Sequence, residues 1–157
     1  MTASASRSVS MQKLGPLIVR TVDAGSTAKL TVTGRSMLPL LLDRVSRVKL
    51  APISEPRRGD MILYRRDNGR YVLHRLIRCE SDGTYTFCGD GQTDLEPGLR
   101  REQLLAVVQS FARREKWRNC DQRLYGLWWR IHVADRPLRR FLRRGVGFLR
   151  RKLRSSR

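Results

Sequence analysis

Metal ligands are scarce in this chain. Besides two histidines there are three cysteines, Cys79, Cys88 and Cys120. They are odd in number and share no ligand spacing, so a structural zinc site is not expected and they read as buried or free thiols in a reducing compartment. Neither a metal nor an organic cofactor is expected. Long apolar runs are missing too: the segments 38–42 and 104–108 are the longest, against roughly 18 residues for a spanning helix. Near the N-terminus, 14–19 is shorter than the roughly 7–15 apolar residues of a secretory leader and is broken by Gly15 and Pro16. The expected location is therefore cytoplasmic. Acids are few, 14 against 33 Lys and Arg, for a net charge of +19. Finally, no lysine occurs between Lys49 and Lys116.

What is present suits one folded domain. The 157 residues are 40% hydrophobic, enough for a core. Residues 11–24 have helical spacing, with Leu14, Leu17, Ile18 and Val22 near one face and Gly25 as the stop. A proline at Pro16 suits only a first turn. Then the period changes. Segments 29–33, 47–50, 61–64, 71–78, 84–88 and 104–111 are short and rich in Val, Ile, Leu, Thr and Tyr. Turn residues separate them, among them Gly59-Asp60, Asn68-Gly69, Ser81-Asp82-Gly83 and Glu96-Pro97-Gly98. This pattern predicts a compact, mainly β domain of mostly antiparallel strands, with Asn68-Gly69 closing a hairpin.

Helical spacing returns near the C-terminus. Leu124, Leu127, Trp128 and Ile131 predict one apolar face. Leu138, Phe141, Leu142, Val146, Leu149 and Leu153 form a second stripe among arginines. The expected organisation is a disordered N-terminus (1–10), a folded domain (11–118) and a basic helical extension (119–157). From Cys120 onward there are twelve Lys or Arg and two acids. Such a tail implies an anionic partner, a membrane surface or nucleic acid.

Three segments carry candidate chemistry. Gly34-Arg35-Ser36-Met37-Leu38-Pro39 follows a strand and can expose a serine hydroxyl at a turn. His74 lies in an apolar strand, where partial desolvation favours the neutral imidazole a general base needs. Gly89-Asp90-Gly91-Gln92-Thr93-Asp94 follows a strand and offers two carboxylates able to orient an imidazole. Each has a plain structural explanation when taken alone.

Together with Arg58-Gly59-Asp60-Met61-Ile62 and Leu73-His74-Arg75, these segments resemble type I signal peptidases of the Ser-His subgroup, over about residues 29–111. The resemblance implies a β domain of the kind shared with SOS-repressor proteases, and a serine endopeptidase acting on a peptide or precursor. In it Ser36 is the nucleophile and His74 the base. Asp90, with Asp94 as its rival, orients His74, and the Ser36 N–H is one oxyanion donor. A lysine base, usual in the bacterial form, has no candidate here. Gly34 stands where many relatives have a second serine, and Gly91 where they have asparagine. Without a spanning anchor, the chain reads as a soluble relative, peripheral to the inner membrane face if its tail binds lipid. Arg58-Gly59-Asp60 is expected to be a structural turn.

Two competing readings arise from the same residues. The first is a non-enzymatic basic module, binding nucleic acid or a membrane surface, with degenerate catalytic motifs. The chain carries no helix-turn-helix, zinc-finger or RNA-recognition signature. The second is a self-cleaving SOS-type protease, suggested by Ala24-Gly25 but lacking its lysine base.

Overall fold

The computed structural model describes residues 11–134, the side chains of Arg123 and Leu124 excepted. The expected disorder of 1–10 and the arginine-rich stripe of 138–153 lie outside the described residues. The protein is mainly β: eight antiparallel strands form one open sheet, with helix α1 (Met11–Asp23) before it and α2 (Arg123–Ala134) after it. The strands are β1 (Ala28–Thr31), β2 (Ser46–Ala51), β3 (Met61–Arg65), β4 (Tyr71–Cys79), β5 (Tyr85–Cys88), β6 (Glu96–Leu99), β7 (Leu104–Arg113) and β8 (Lys116–Asn119). They are ordered β1-β2-β7-β3-β4-β5-β6, and β8 also pairs with β7. Among the described residues no helix is long and apolar enough to cross a membrane.

The expected strands all form, with ends shifted by a few residues. β3 and β4 make the hairpin closed at Asn68-Gly69, where the Arg66 N–H donates to the Arg70 carbonyl at 2.9 Å. Two strands were not anticipated. Glu96-Pro97-Gly98 reads as a turn but belongs to β6, which lies at the edge of the sheet, where proline is tolerated. β8 has no apolar alternation: all four of its residues are exposed, and it exists through its ladder to β7.

Helix α1 ends as its sequence predicts. The Gly25 N–H reaches the Val22 carbonyl (2.9 Å) and the Ser26 N–H that of Thr21 (3.1 Å), a paired closure of the last turn. Pro16 departs from expectation, because it lies beyond the first turn of the helix. The disruption costs about 3 kcal/mol, and burial of Ile18 and Val22 against the sheet opposes it.

Each face of the central strands carries a core. Because side chains alternate along a strand, Met61 and Leu63 of β3 join a cluster with Val48, Leu50, Val108 and α1. Ile62 and Tyr64 face the other way, into a cluster with Leu76, Phe87, Leu99 and Leu104.

The described C-terminal part packs directly onto the sheet. The boundary at 118/119 is not a break in packing, since β8 runs through Asn119 and Tyr125 of α2 lies in the first core. Of the face predicted for α2, Trp128 packs against the first core, whereas Leu127 and Ile131 do not. Leu127 and Ile131 are 57% and 60% exposed, while Tyr125 and Val133 are buried. Polar chemistry selects this face, because Tyr125 and His132 bond to buried polar groups that an aliphatic stripe would leave unsatisfied. Tyr125→Ala is therefore expected to cost about 3 kcal/mol. Leu127→Ser and Ile131→Ser should each stay within about 0.5 kcal/mol of the wild type. Urea denaturation of the three variants checks the assignment.

Candidate active site

The β3–β4 register fixes the surroundings of the histidine. Ile62 stands opposite His74 and Tyr64 opposite Val72. Tyr64 and His74 therefore share one face, diagonal to each other, while Arg75 projects from the opposite face. His74 is buried, and its Nδ1 lies 3.1 Å from the Tyr64 hydroxyl. That hydroxyl donates its single hydrogen to Glu96 Oε2 at 2.8 Å, so its oxygen accepts from Nδ1–H. In this tautomer Nε2 is the basic nitrogen.

Glu96 is fixed in turn. Arg66, just past β3, donates through Nε (2.6 Å) and Nη2 (2.5 Å) to its two oxygens. Burial pushes the Glu96 carboxyl up. The hydrogen bonds from Arg66 and Tyr64 and the Arg66 charge outweigh this and hold it below its ordinary value. Tyr64 moves the other way: burial, then the Glu96 bond and charge, push the phenol far above its ordinary range, so it keeps its proton. Glu96 lies 3.9 Å from His74 Nδ1, close enough to stabilise a developing imidazolium.

Ser36 sits half-buried in the segment joining β1 to β2. Buried Met37 and Leu41 root this segment in the first core. Gly34 adopts φ +95°, a backbone that side chains rarely take, and its N–H donates to Asp43 Oδ1 at 2.8 Å. No atom lies within 4 Å of where its Cβ would be. Backbone conformation, and not lack of space, is therefore what calls for glycine here.

The turn after β5 brings serine and histidine together. β5 pairs with β4 only from Arg75 onward, and the chain then turns away through residues 89–92. The Ser36 backbone lies against this turn. Its carbonyl accepts from the Gly91 N–H at 2.8 Å, and a Cβ on Gly89 would come within 2.5 Å of the same oxygen. Only glycine permits that approach. Beside the turn is an open pocket of about 230 Å³, and Thr33, Ser36, Met37, Tyr71, His74 and Gln92 are in its wall. The structure thus places both predicted reacting residues in one pocket.

The two acids expected to orient His74, Asp90 and Asp94, have the following surroundings. Asp90 is fully buried and receives both Arg75 Nε (2.7 Å) and Arg75 Nη2 (2.6 Å) on its carboxylate. Arg75 belongs to the opposite face from His74, and through it Asp90 anchors the turn. Asp94 is exposed and lines an adjoining pocket of about 470 Å³ with Arg66, Gln92 and Glu96. The acid at Nδ1 is Glu96, reached through Tyr64. Sequence reading missed both. The hairpin register already places a tyrosine beside His74, but nothing local marks Glu96.

The Arg58-Gly59-Asp60 segment forms the expected turn, with the Gly59 carbonyl accepting from Arg75 Nη1 at 2.7 Å. No protein-family model matches the chain, and no curated protein matches it.

Two acids with different roles make different predictions. A carboxyl held below its ordinary 4.5 adds stability above that value and loses it as the pH falls through the folded value. Glu96→Gln should therefore cost about 1–2 kcal/mol near pH 7, and the gap should narrow toward about pH 3. Denaturant titrations at the two pH values test this. Asp90→Asn should cost about 3–5 kcal/mol at neutral pH, since it leaves the Arg75 charge buried beside an uncharged amide.

Proposed function

We propose that the chain is a serine endopeptidase of the signal-peptidase type, with Ser36 as nucleophile and His74 as general base. The observation that carries this reading is that Ser36 and His74 share one pocket, with Nδ1 of the histidine engaged by the Tyr64–Glu96 pair. Ser36 Oγ attacks the scissile carbonyl while His74 Nε2 takes its proton. The imidazolium that forms donates Nδ1–H to Tyr64 beside the Glu96 charge. His74 then delivers the proton to the leaving amine, and water repeats the sequence on the acyl-enzyme. The Ser36 N–H is the proposed oxyanion donor, and loss of such a donor costs about 10²–10³ in rate. The substrate is a peptide or precursor protein, met on the cytoplasmic side.

Ser36→Ala and His74→Ala are each expected to lower kcat by about 10⁴ or more. The measurement is mass-spectrometric detection of products from a peptide mixture. If both variants cut like the wild type, the reading fails. Tyr64→Phe removes a hydrogen bond to a developing charge, worth about 1.5–3 kcal/mol, and so should lower kcat by about ten- to a hundredfold. Asp94→Asn should change it less than about twofold, as expected for an exposed surface group.

For the basic tail we propose an anionic membrane surface, each Lys or Arg adding about 1 kcal/mol near the headgroups. Its charge supports this, ten Lys or Arg against one acid in residues 135–157. Truncation after Asp135 is expected to abolish sedimentation with phosphatidylserine vesicles and to leave short-peptide cleavage intact. Unchanged sedimentation would reject the lipid partner, and retention of single-stranded DNA would favour nucleic acid instead.

A further inference from the structure

No residue of helix α2 lines the pocket, yet the helix is bonded to the turn after β5, against which the Ser36 backbone lies. Its inner face makes two polar contacts across the sheet face opposite His74. Arg75 Nη1 donates to the Tyr125 hydroxyl at 2.8 Å, and His132 Nε2–H donates to the Asp90 carbonyl at 2.8 Å. The rings of Trp128 and His132 stack, with centroids 4.8 Å apart and planes 10° from parallel. This stacking restricts the imidazole to an orientation that suits the donation. Val133, one residue on, is buried against Ile77 and Cys88 at the end of β5. Asp90 is thus held twice, by Arg75 at its carboxylate and by α2 at its carbonyl. The next residue, Gly91, gives its N–H to Ser36.

Resting on the peptidase reading above, we infer that α2 is a brace for the nucleophile and that His132 is a positioning residue of the site. The path is short: His132 to the Asp90 carbonyl, Asp90 to Gly91, and the Gly91 N–H to the Ser36 carbonyl. Every contact in it is a hydrogen bond or a covalent link. The turn packs closely at the Ser36 end, where a Cβ on Gly89 would come within 2.5 Å of the serine carbonyl. Movement of the Asp90 carbonyl therefore displaces Ser36. Substrate binding is affected less, since neither α2 nor the turn's Asp90 lines the pocket.

Two measurements on the full chain test this. In His132→Ala, kcat should fall about ten- to a hundredfold, the scale of a displacement near 1 Å at a reacting group, with KM within about twofold. Exchange of the Gly91 amide, followed by NMR, should quicken about tenfold or more, while the amides of β3 exchange as in the wild type. His132→Gln restores a donor to the Asp90 carbonyl and should recover most of the rate and most of the Gly91 protection. Tyr125→Phe, which keeps the ring and removes the acceptor for Arg75, should change both readouts in the same direction. The inference is overturned if Gly91 exchange and kcat in His132→Ala match the wild type. It is equally overturned if β3 amides quicken alongside Gly91 and glutamine rescues nothing, because that pattern is general destabilisation. Should the wild type cleave no peptide, the peptidase reading fails, and Gly91 exchange alone then decides whether α2 braces the turn.

Discussion

Arg75 and Asp90 meet where β4, the turn after β5 and α2 converge, and neither side chain has any solvent exposure. Two bare charges at such depth would each cost several kcal/mol in lost hydration. What makes the site tenable is a partner for every nitrogen of the guanidinium. The guanidinium gives two nitrogens to Asp90 and a third to both the Gly59 carbonyl and the Tyr125 hydroxyl, with the Tyr125 and Trp128 rings facing it at 5.6 and 5.9 Å. These partners come from three separate parts of the chain. The need to satisfy one buried cation thereby gathers the turn before β3, the turn after β5 and the last described helix around a single strand.

The neighbouring histidine relies on the same strand but on its other side. Alternation along β4 separates two electrostatic tasks by one residue: Arg75 holds the architecture together, and His74 faces the pocket. Each has its own acid. Asp90 neutralises the structural cation, while Glu96 supports the imidazole through a phenol and is itself held by Arg66. This division keeps the acid beside the imidazole partly hydrated and the structural acid dry. The result is a polar relay on one face and a sealed ion pair on the other, with the sheet between them.

Much of this was legible in the chain itself, for identifiable reasons. Asn68-Gly69 between two alternating segments fixes a hairpin locally, and with it the proximity of Tyr64 to His74. Ser36 was legible as a turn serine because glycine and proline flank it. The Arg75 contact of Asp90 was not legible, because a Gly-Asp-Gly turn after a strand offers a carboxylate without saying which face of the neighbouring strand it meets. Glu96 was hidden because its partners, Tyr64 and Arg66, are some thirty residues away in sequence. The face of α2 was legible only in part for a related reason. Apolar periodicity counts Leu127 and Ile131 along with Trp128, whereas the helix docks through Trp128 together with Tyr125 and His132. β8 carries no pattern at all and owes its shape to the strand beside it.

β7 has a consequence of its own. It pairs with β2 along one edge, and with β3 and then β8 along the other, so the sheet is joined through a strand that comes late in the chain. Until β7 is in place, the β1–β2 pair that flanks Ser36 and the β3–β4 hairpin that carries His74 are separate pieces with no common ladder. Bringing them together means closing a loop of about sixty residues between β2 and β7, an entropic cost met before the contacts that repay it exist. Folding of this molecule is thus governed by distant pairings more than by its helices. Ser36 and His74 come to share one pocket only at its later stages, well after the hairpin that holds His74 can form.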